Sequence, residues 1–322
     1  MKEPLLVGVD VGGTNLRVGV LSGHELVWAM RRHAGFSEIC QKVAAPEALG
    51  AVIETLVEAI GEALARYPQV QSVGVGFPGF IAPDTRLVTL SPNLPGLLNV
   101  DLVTPLRARL GLPVVLENDA LAAAYGEYLL TRPRSGSLLY MGLGTGIGGG
   151  LILHGKPYSG EHGVAMELGH LIVIPGGRQC GCGNRGCLEQ YASAGGIALN
   201  YAASGPVTLE SQAIAALARQ GAPRALSAFE QAATALGTTL AHVLKIVDVS
   251  EVVIGGGLSG AWPLMEPAFL THLDGALIPA LRGRVKVRLS NAEDRAGMLG
   301  VAALSQTHAN APGILPQNKR SP

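Results

Sequence analysis

Apolar residues in the first part of the chain follow two periods, an alternating one and a helical one. Leu5–Val11 is apolar and rich in β-branched residues, the turn Gly12-Gly13-Thr14 follows it, and residues 16–21 alternate again. This pattern predicts a strand, a glycine turn and a second strand. Residues 45–65 carry apolar side chains at helical spacing, which predicts a helix. By the same criteria we predict strands at residues 25–30, 72–77 and 114–116, and helices at residues 101–110 and 120–130.

The second half of the chain repeats this opening. Residues 138–141 read as a strand, residues 142–150 are rich in glycine, and residues 151–153 read as another strand. After a loop-rich stretch at residues 155–195, we predict helices at residues 209–219, 222–247, 265–281 and 295–306, and strands at residues 252–254 and 285–289. Strands that alternate with helices predict an α/β protein, and the repeat predicts two halves of similar design that meet near residues 119–124.

Composition narrows the class of protein. The chain of 322 residues has 24 basic and 24 acidic residues, so its zero net charge gives no electrostatic reason to bind nucleic acid or an anionic membrane surface. The sequence has no apolar stretch long enough for a membrane span and no signal peptide, so we expect a cytoplasmic protein. Glycine accounts for 44 residues, about twice its usual share, which predicts close backbone packing, with a bound ligand as one reason.

Three glycine turns follow predicted strands, at Gly12, Gly144 and Gly255. Glycines after strands let backbone N–H groups approach a phosphate. A dinucleotide-binding fingerprint or a P-loop would open a helix, whereas the turns at Gly12 and Gly144 lead into second strands. Ordinary hairpin turns explain one such turn, but two turns that each contain a threonine favour phosphate binding.

Three cysteines lie within eight residues, at Cys180, Cys182 and Cys187, and His170 precedes them. Three thiolates and one imidazole match a tetrahedral Zn²⁺ site. A disulfide would leave one thiol over, and an iron–sulfur cluster would favour four cysteines. Four protein ligands leave no open position, so we expect this zinc to be structural.

Several motifs occur together in one order. They are Asp10-Val-Gly-Gly-Thr-Asn-Leu-Arg17, Gly76-Phe-Pro-Gly79, Pro92-Asn-Leu-Pro-Gly96, Glu117-Asn-Asp-Ala120, Gly144-Thr-Gly146, Glu167-Leu-Gly-His170, the cysteine segment ending at Glu189, and Gly255-Gly-Gly257. With these motifs the chain resembles, from about residue 5 to 305, the ROK family of bacterial sugar kinases and repressors, within the actin/hexokinase/Hsp70 superfamily.

The resemblance implies an α/β fold of two ribonuclease-H-like (actin-like) ATPase domains with a cleft between them. Residues 1–119 would form a small N-terminal domain, completed by the C-terminal helix near residues 301–309. Residues 120–300 would form a large domain that carries the zinc loop. We expect residues 310–322, which are rich in proline and asparagine, to be a flexible tail.

The resemblance also implies functional residues. Asp119 would be the general base, and its other interpretation is a helix cap before Ala120. ATP with Mg²⁺ would be bound by Asp10, Gly12, Gly13, Thr14, Asn15, Gly144, Thr145, Gly146, Gly255, Gly256 and Gly257. The hexose would be bound by Gly79, Asn93, Asn118, Asp119, Glu167, His170 and Glu189. Without the resemblance, Asp10 would be interpreted as a turn residue at the end of a strand. Glu167 and Glu189, each taken singly, would be interpreted as solvated surface residues.

The expected activity is ATP-dependent phosphorylation of a hexose, as in ROK glucokinases, with glucose giving glucose 6-phosphate. The alternatives are a kinase for N-acetylmannosamine, N-acetylglucosamine, fructose or allose, and a sugar-sensing ROK regulator. A regulator of this family carries a helix-turn-helix before the first strand, and this sequence begins its strand at Leu5. The resemblance implies a homodimer or homotetramer.

Two positions depart from the family pattern. Met166 stands where a glycine commonly precedes the Glu-x-Gly-His motif, and Asn15 stands where many family kinases have lysine. Cys40 and His33 receive no role from the sequence.

Overall fold

The computed structural model describes residues 3–292 and 295–309, with side chains up to residue 307. The tail at residues 310–322, which we expect to be flexible, lies outside the described residues. The chain divides into two compact units. The first unit takes in the residues up to Ala122 together with those from Gly297, and the second is the continuous stretch Ala123–Ala296.

The first unit contains both strands and helices. In chain order its elements are β1 (Leu5–Val11), β2 (Asn15–Ser22), β3 (Glu25–His33), α1 (Phe36–Lys42), α2 (Ala45–Arg66), β4 (Val70–Phe77), β5 (Phe80–Ile81), β6 (Val88–Leu90), β7 (Leu98–Val100), α3 (Val103–Leu110), β8 (Val114–Asn118) and the start of α4 (Asp119–Thr131).

The main sheet of the first unit has the strand order β3-β2-β1-β4-β8. Strands β1 and β2 form an antiparallel hairpin, while β4 and β8 continue the sheet in parallel. Helix α2 buries its apolar stripe, including Val52, Leu56 and Ile60, in the same core as the sheet. The small sheet β5-β6-β7 was not predicted, because strands of two or three residues are too short to show a period.

The second unit repeats the hairpin-plus-parallel arrangement. Its elements are β9 (Leu138–Leu143), β10 (Ile147–Leu153), β11 (Lys156–Pro157), α5 (Glu189–Ala192), α6 (Ala194–Ala203), α7 (Ser211–Arg219), α8 (Pro223–Val247), β12 (Glu251–Gly255), α9 (Glu266–Ala276) and β13 (Lys286–Leu289), with short 3₁₀ segments at Leu168–His170 and Gly257–Leu264. The sheet order is β11-β10-β9-β12-β13, with β9 and β10 antiparallel and β12 and β13 parallel to β9.

Helix α8 is the central helix of the second unit. It buries Phe229, Leu236, Leu240 and Leu244 in the core that also contains the inner side chains of the sheet. Among the residues described, no helix is both long enough and apolar enough to cross a membrane.

Two helix predictions differ from the structure at their ends. The helix expected at residues 265–281 ends at Ala276, and the stretch before it is a 3₁₀ segment that contains Pro263. The helix expected at residues 295–306 is α10 (Arg295–Ala309), which continues three residues further than expected.

Candidate active site and metal centre

The first glycine turn lies between β1 and β2 and is held by backbone hydrogen bonds. The N–H of Gly12 donates to the carbonyl of Asn15 at 2.8 Å, and the N–H of Ser37 donates to the carbonyl of Gly13 at 2.9 Å. A third bond runs from the N–H of Ala34 to the carbonyl of Thr14 at 2.9 Å. The turn is therefore held from outside, by the start of α1, as well as by its own hairpin.

Asp10 lies at the end of β1 and forms an ion pair that the sequence analysis missed. Its Oδ2 accepts a hydrogen bond from Nη1 of Arg17 at 2.9 Å, because the two residues are opposite each other in the β1–β2 register. Both side chains are mostly buried, with 22% of Asp10 and 24% of Arg17 exposed. A mostly buried carboxylate paired in this way keeps one orientation.

Asp119 is the first residue of α4, and Asn118 is the residue that caps this helix. Oδ1 of Asn118 accepts from the N–H of Leu121 at 3.0 Å, and its Nδ2 donates to the carbonyl of Gly79 at 3.0 Å. Oδ1 of Asp119 accepts from the N–H of Ala120 at 2.8 Å. Capping therefore belongs chiefly to Asn118, so the carboxylate of Asp119 keeps its second oxygen for other partners.

The charge state of Asp119 is unusual. Burial, together with the negative charge of Asp10, raises the pKa of Asp119 from 3.8 to about 6. Hydrogen bonds from the backbone N–H groups act in the opposite direction and do not cancel this rise. A carboxylate whose pKa lies just below neutrality has the property expected of a general base.

The segment that carries Asn93 is joined to the first glycine turn. Asn93 is exposed, and its carbonyl accepts from Oγ of Ser37 at 3.2 Å. Ser37 also donates its N–H to Gly13, so one serine bonds both segments. Gly79 has a φ of 144°, and an added Cβ would lie 2.7 Å from the carbonyl oxygen of Leu90, so the backbone there needs glycine.

The second glycine turn lies between β9 and β10, and Glu189 bonds to it. The N–H of Gly144 donates to the carbonyl of Gly146 at 2.9 Å, and Oε2 of Glu189 accepts from the N–H of Ile147 at 3.0 Å. A Cβ on Gly146 would lie 2.5 Å from that same Oε2. Thr145 lies between the two glycines of this turn. Glu189 therefore contacts the predicted phosphate turn directly.

The third glycine segment follows β12. Gly256 has a φ of 85°, and an added Cβ would overlap the backbone of Leu143. A Cβ on Gly255 would lie 2.5 Å from Oη of Tyr140, whereas Gly257 has open space around it. Gly255 and Gly256 thus have a packing reason to be glycine, and Gly257 has none within its unit.

His170, Cys180, Cys182 and Cys187 come together, with one ligand atom of each within 4.8 Å of the others. Nδ1 of His170 lies 3.7 Å from Sγ of Cys180, and Sγ of Cys182 lies 3.6 Å from Sγ of Cys187. Zinc–sulfur bonds of about 2.3 Å in a tetrahedron place sulfurs about 3.8 Å apart, so this donor set fits Zn²⁺ in both chemistry and spacing.

The loop that carries the three cysteines is held by Arg178. Its Nη1 donates to the carbonyl of Gln190 at 2.6 Å and to Oδ1 of Asn200 at 2.8 Å, and its guanidinium lies 4.5 Å from the ring centroid of Tyr191. The same loop also forms an isolated antiparallel β-bridge, in which Cys187 pairs with Ile172. Sequence reasoning missed Arg178, since nothing in its local pattern marks the distant acceptors.

Glu167 lies next to this cluster of His170 and three cysteines. Its Oε2 is 3.9 Å from Nε2 of His170, the ring nitrogen that faces away from Cys180. The second unit therefore groups Glu167 and His170 with the cysteines, and Glu189 follows Cys187 by two residues. The first unit separately groups Asp10 with Asp119, and Asn118 with Gly79.

A hairpin sheet continued by parallel strands, present twice, is the architecture of the actin-like ATPases, and the predicted α/β fold class is confirmed. The model of the ROK family matches residues 6–308, and the chain belongs to this family.

Named relatives of the chain are sugar kinases. A glucokinase from Streptomyces coelicolor is 32% identical, over 94% of this chain and 98% of its own length. An N-acetyl-D-glucosamine kinase from Shigella boydii is 35% identical, over 93% of this chain and 99% of its own length. The crystal structure of a ROK family glucokinase from Streptomyces griseus, in complex with glucose and AMPPNP, superposes with a TM-score of 0.80 at 30% identity, covering 94% of this chain and 99% of that one.

Proposed function

We propose that the protein is an ATP-dependent hexokinase that converts glucose to glucose 6-phosphate. The observation that carries this proposal is Asp119, a carboxylate fixed at the start of α4 with its pKa raised to about 6. Glucokinases among the relatives, and a glucokinase structure with glucose and a nucleotide analogue, support the substrate class.

In the proposed reaction the hydroxyl oxygen at C6 of glucose bonds to the γ-phosphorus of ATP. The bond from that phosphorus to the bridging oxygen breaks, ADP leaves, and the hydroxyl proton passes to Asp119. A carboxylate with a pKa near 6 is ionised at neutral pH and yet holds a proton better than an ordinary aspartate. Its hydrogen bond from Ala120 leaves one oxygen to accept that proton.

For the nucleotide, we assign Mg²⁺ coordination, direct or through water, to Asp10. Bound Mg²⁺ neutralises charge on the phosphates. The pair with Arg17 supports this role, because it keeps the Asp10 carboxylate in one orientation. We assign the phosphates to the two glycine turns with Thr14 and Thr145, and the adenosine to the segment at Gly255–Gly257, where Gly257 has open space.

For the sugar, we assign hydroxyl contacts to Asn93, Glu167, His170 and Glu189, with Gly79 and Asn118 beside Asp119. Both polar atoms of the Asn118 side chain already bond to protein, so we assign it mainly the positioning of its neighbour Asp119. We assign a structural Zn²⁺ to the His/Cys cluster, where coordination by Nδ1 leaves Nε2 of His170 for the sugar.

N-acetylglucosamine is the second candidate substrate, since an N-acetyl-D-glucosamine kinase shares 35% identity with the chain. The deciding experiment is an assay of ADP release with glucose, mannose, fructose, allose and the N-acetylhexosamines. We expect the highest kcat/KM with glucose, and turnover by Asp119→Ala that is lower by a factor of about 10² to 10⁴. A higher kcat/KM with N-acetylglucosamine than with glucose would make N-acetylglucosamine the substrate of the same class of enzyme. No ADP release with any of these sugars would refute the proposal that the protein is a hexose kinase.

A further inference from the structure

Met166 has a backbone conformation that a long apolar side chain rarely adopts. Its φ is 66°, in the left-handed region. Six non-glycine residues among those described have positive φ, and they are Arg86, Asn99, Arg132, His154, Met166 and Asp248. Met166 is the one apolar residue in this set, and it directly precedes Glu167. Strained backbone persists only where surrounding contacts impose it.

The backbone of Met166 contacts both the 3₁₀ segment that follows it and strand β10. The carbonyl of Met166 accepts a hydrogen bond from the N–H of Leu168 at 2.7 Å, and Leu168 is the first residue of the 3₁₀ segment that ends at His170. The same carbonyl lies so close to Gly149 of β10 that an added Cβ on that glycine would overlap it. The left-handed turn therefore places the segment with Glu167 and His170 directly on the sheet.

The side chain of Met166 has an anchor of its own. It packs against the apolar core of the second unit and lines a groove of about 940 Å³ beside α8, with Thr238 and Val243 on the helix side. An unbranched thioether adapts its shape to an irregular apolar groove. The side chain is thus held in this groove, which Glu167 also lines, and Oε2 of Glu167 lies 3.9 Å from Nε2 of His170.

We propose that Met166 is a positioning residue, whose anchored side chain holds the left-handed turn that aims Glu167 at the sugar. The inference rests on the proposed function, which makes Glu167 a sugar ligand. Met166 does not contact substrate in this scheme, so its loss affects how tightly the sugar is held rather than the transfer of the phosphoryl group.

The test compares Met166→Ala, Met166→Gly and Met166→Leu with the wild type. Alanine and glycine both remove the anchor, and glycine also removes the backbone strain. We expect the KM for the hexose to rise about tenfold in both, with kcat within about twofold and the KM for ATP unchanged. Leucine keeps an apolar anchor of similar volume, so we expect the hexose KM of Met166→Leu to stay within about twofold of the wild-type value.

A matched control is His154→Gly, which relieves a left-handed residue (φ 50°) in the turn after β10. We expect it to leave the KM unchanged. If Met166 served stability alone, the variants would lose active protein and kcat together at constant KM, and that result would overturn the proposal.

Hydrogen–deuterium exchange of residues 164–170 supplies a readout that needs no activity. We expect faster exchange in the alanine and glycine variants than in the leucine variant. If the wild type phosphorylates no hexose, the proposed function is wrong, and unchanged exchange in these variants would separately refute the positioning role.

Discussion

At the scale of single residues, the proposed base Asp119 would link pH to activity through one carboxyl group. Because burial and the charge of Asp10 raise its pKa to about 6, the group is ionised above that pH and protonated below it. The base form is therefore lost as the pH falls. We predict that kcat/KM declines about tenfold per pH unit below about 6. The measurement is kcat/KM against pH in a buffer of constant ionic strength.

Asp119→Ala supplies the control for this profile. We expect its turnover to fall by a factor of about 10² to 10⁴, with glucose binding retained, because general bases contribute rate enhancements of that size. Turnover near the wild-type value in this variant would exclude Asp119 as the base. An acidic limb centred near pH 4 would show that the pKa is not raised in the working enzyme.

The same shift in pKa has an effect on stability of a definite sign. The folded state binds the proton of Asp119 more tightly than the unfolded chain does. Ionisation therefore lowers the free energy of unfolding progressively between about pH 4 and pH 6, and the full loss remains above pH 6. The rise of about two units corresponds to at most about 3 kcal/mol. We predict that Asp119→Asn, which carries no charge, is more stable than the wild type at pH 8.

Thermal unfolding of both proteins at several pH values tests this prediction. The difference in Tm between Asp119→Asn and the wild type should be largest at pH 8 and should shrink as the pH falls through 6 to 4. A difference that does not change with pH would mean that the charge of Asp119 costs nothing in the folded protein.

At the scale of elements, the loop that carries Cys180, Cys182 and Cys187 connects the His/Cys cluster to Glu189, which contacts the second glycine turn. Cys187 pairs with Ile172 near the His170 segment, and Glu189, two residues further on, bonds to β10 at Ile147. We predict that Cys182→Ser loses zinc and raises the KM for the hexose, because a three-ligand site holds the His170 ring less firmly. Metal analysis and steady-state kinetics on the same preparation are the measurements.

Cys40→Ser is the matched control for this variant, because Cys40 is a buried cysteine of the other unit and far along the chain from the cluster. We expect it to retain zinc and an unchanged KM. Full zinc occupancy with normal kinetics in Cys182→Ser would contradict the role assigned to the cluster.

The long periodic elements could be predicted from the sequence because their pattern is local. Strands β1 and β9 and helices α2 and α8 lie close to the predicted positions. Helix α1 and the strands of the small sheet were missed, because elements of seven residues or fewer show too little period. The ten-residue helix α6 was also missed. The end of α9 at Ala276 was also misplaced, since apolar residues continue beyond it to Leu281.

For the candidate site, sequence could supply residue types and local spacing but no pairing across space. His170 and the three cysteines are close in the chain, and their ligand atoms lie within 4.8 Å of one another in the structure. The pair of Asp10 with Arg17 depends on strand register, and the bond from Ile147 to Glu189 joins residues 42 positions apart. The left-handed backbone of Met166 has no sequence signal beyond the residue itself.

At the scale of the whole molecule, part of the glycine content serves packing between helix and sheet. Within the first unit, an added Cβ on Gly8 would overlap the carbonyl of Met298 in α10. An added Cβ on Gly74 would overlap the carbonyl of Val301 in the same helix. We predict that Gly74→Ala destabilises the protein by about 1–3 kcal/mol or more, because the obstructing atoms belong to the backbone. The measurement is the midpoint of chemical unfolding.

Gly61→Ala is the matched control, since Gly61 lies in α2 and a Cβ there would meet nothing within 4 Å. We expect this variant to be more stable than the wild type by about 0.5–1 kcal/mol, because alanine favours a helix over glycine. Equal stability of the two variants would mean that α10 does not press on the sheet as described.

The division of the chain has a consequence for its synthesis. The first unit is assembled from both ends of the chain, whereas the second is one continuous stretch. Because domains fold as they emerge from the ribosome, the second unit can finish folding while the first still lacks α10. Until α10 is made, the face of the β1–β4 sheet at Gly8 and Gly74 is uncovered, so a nascent chain stalled just before α10 exposes this face to chaperones.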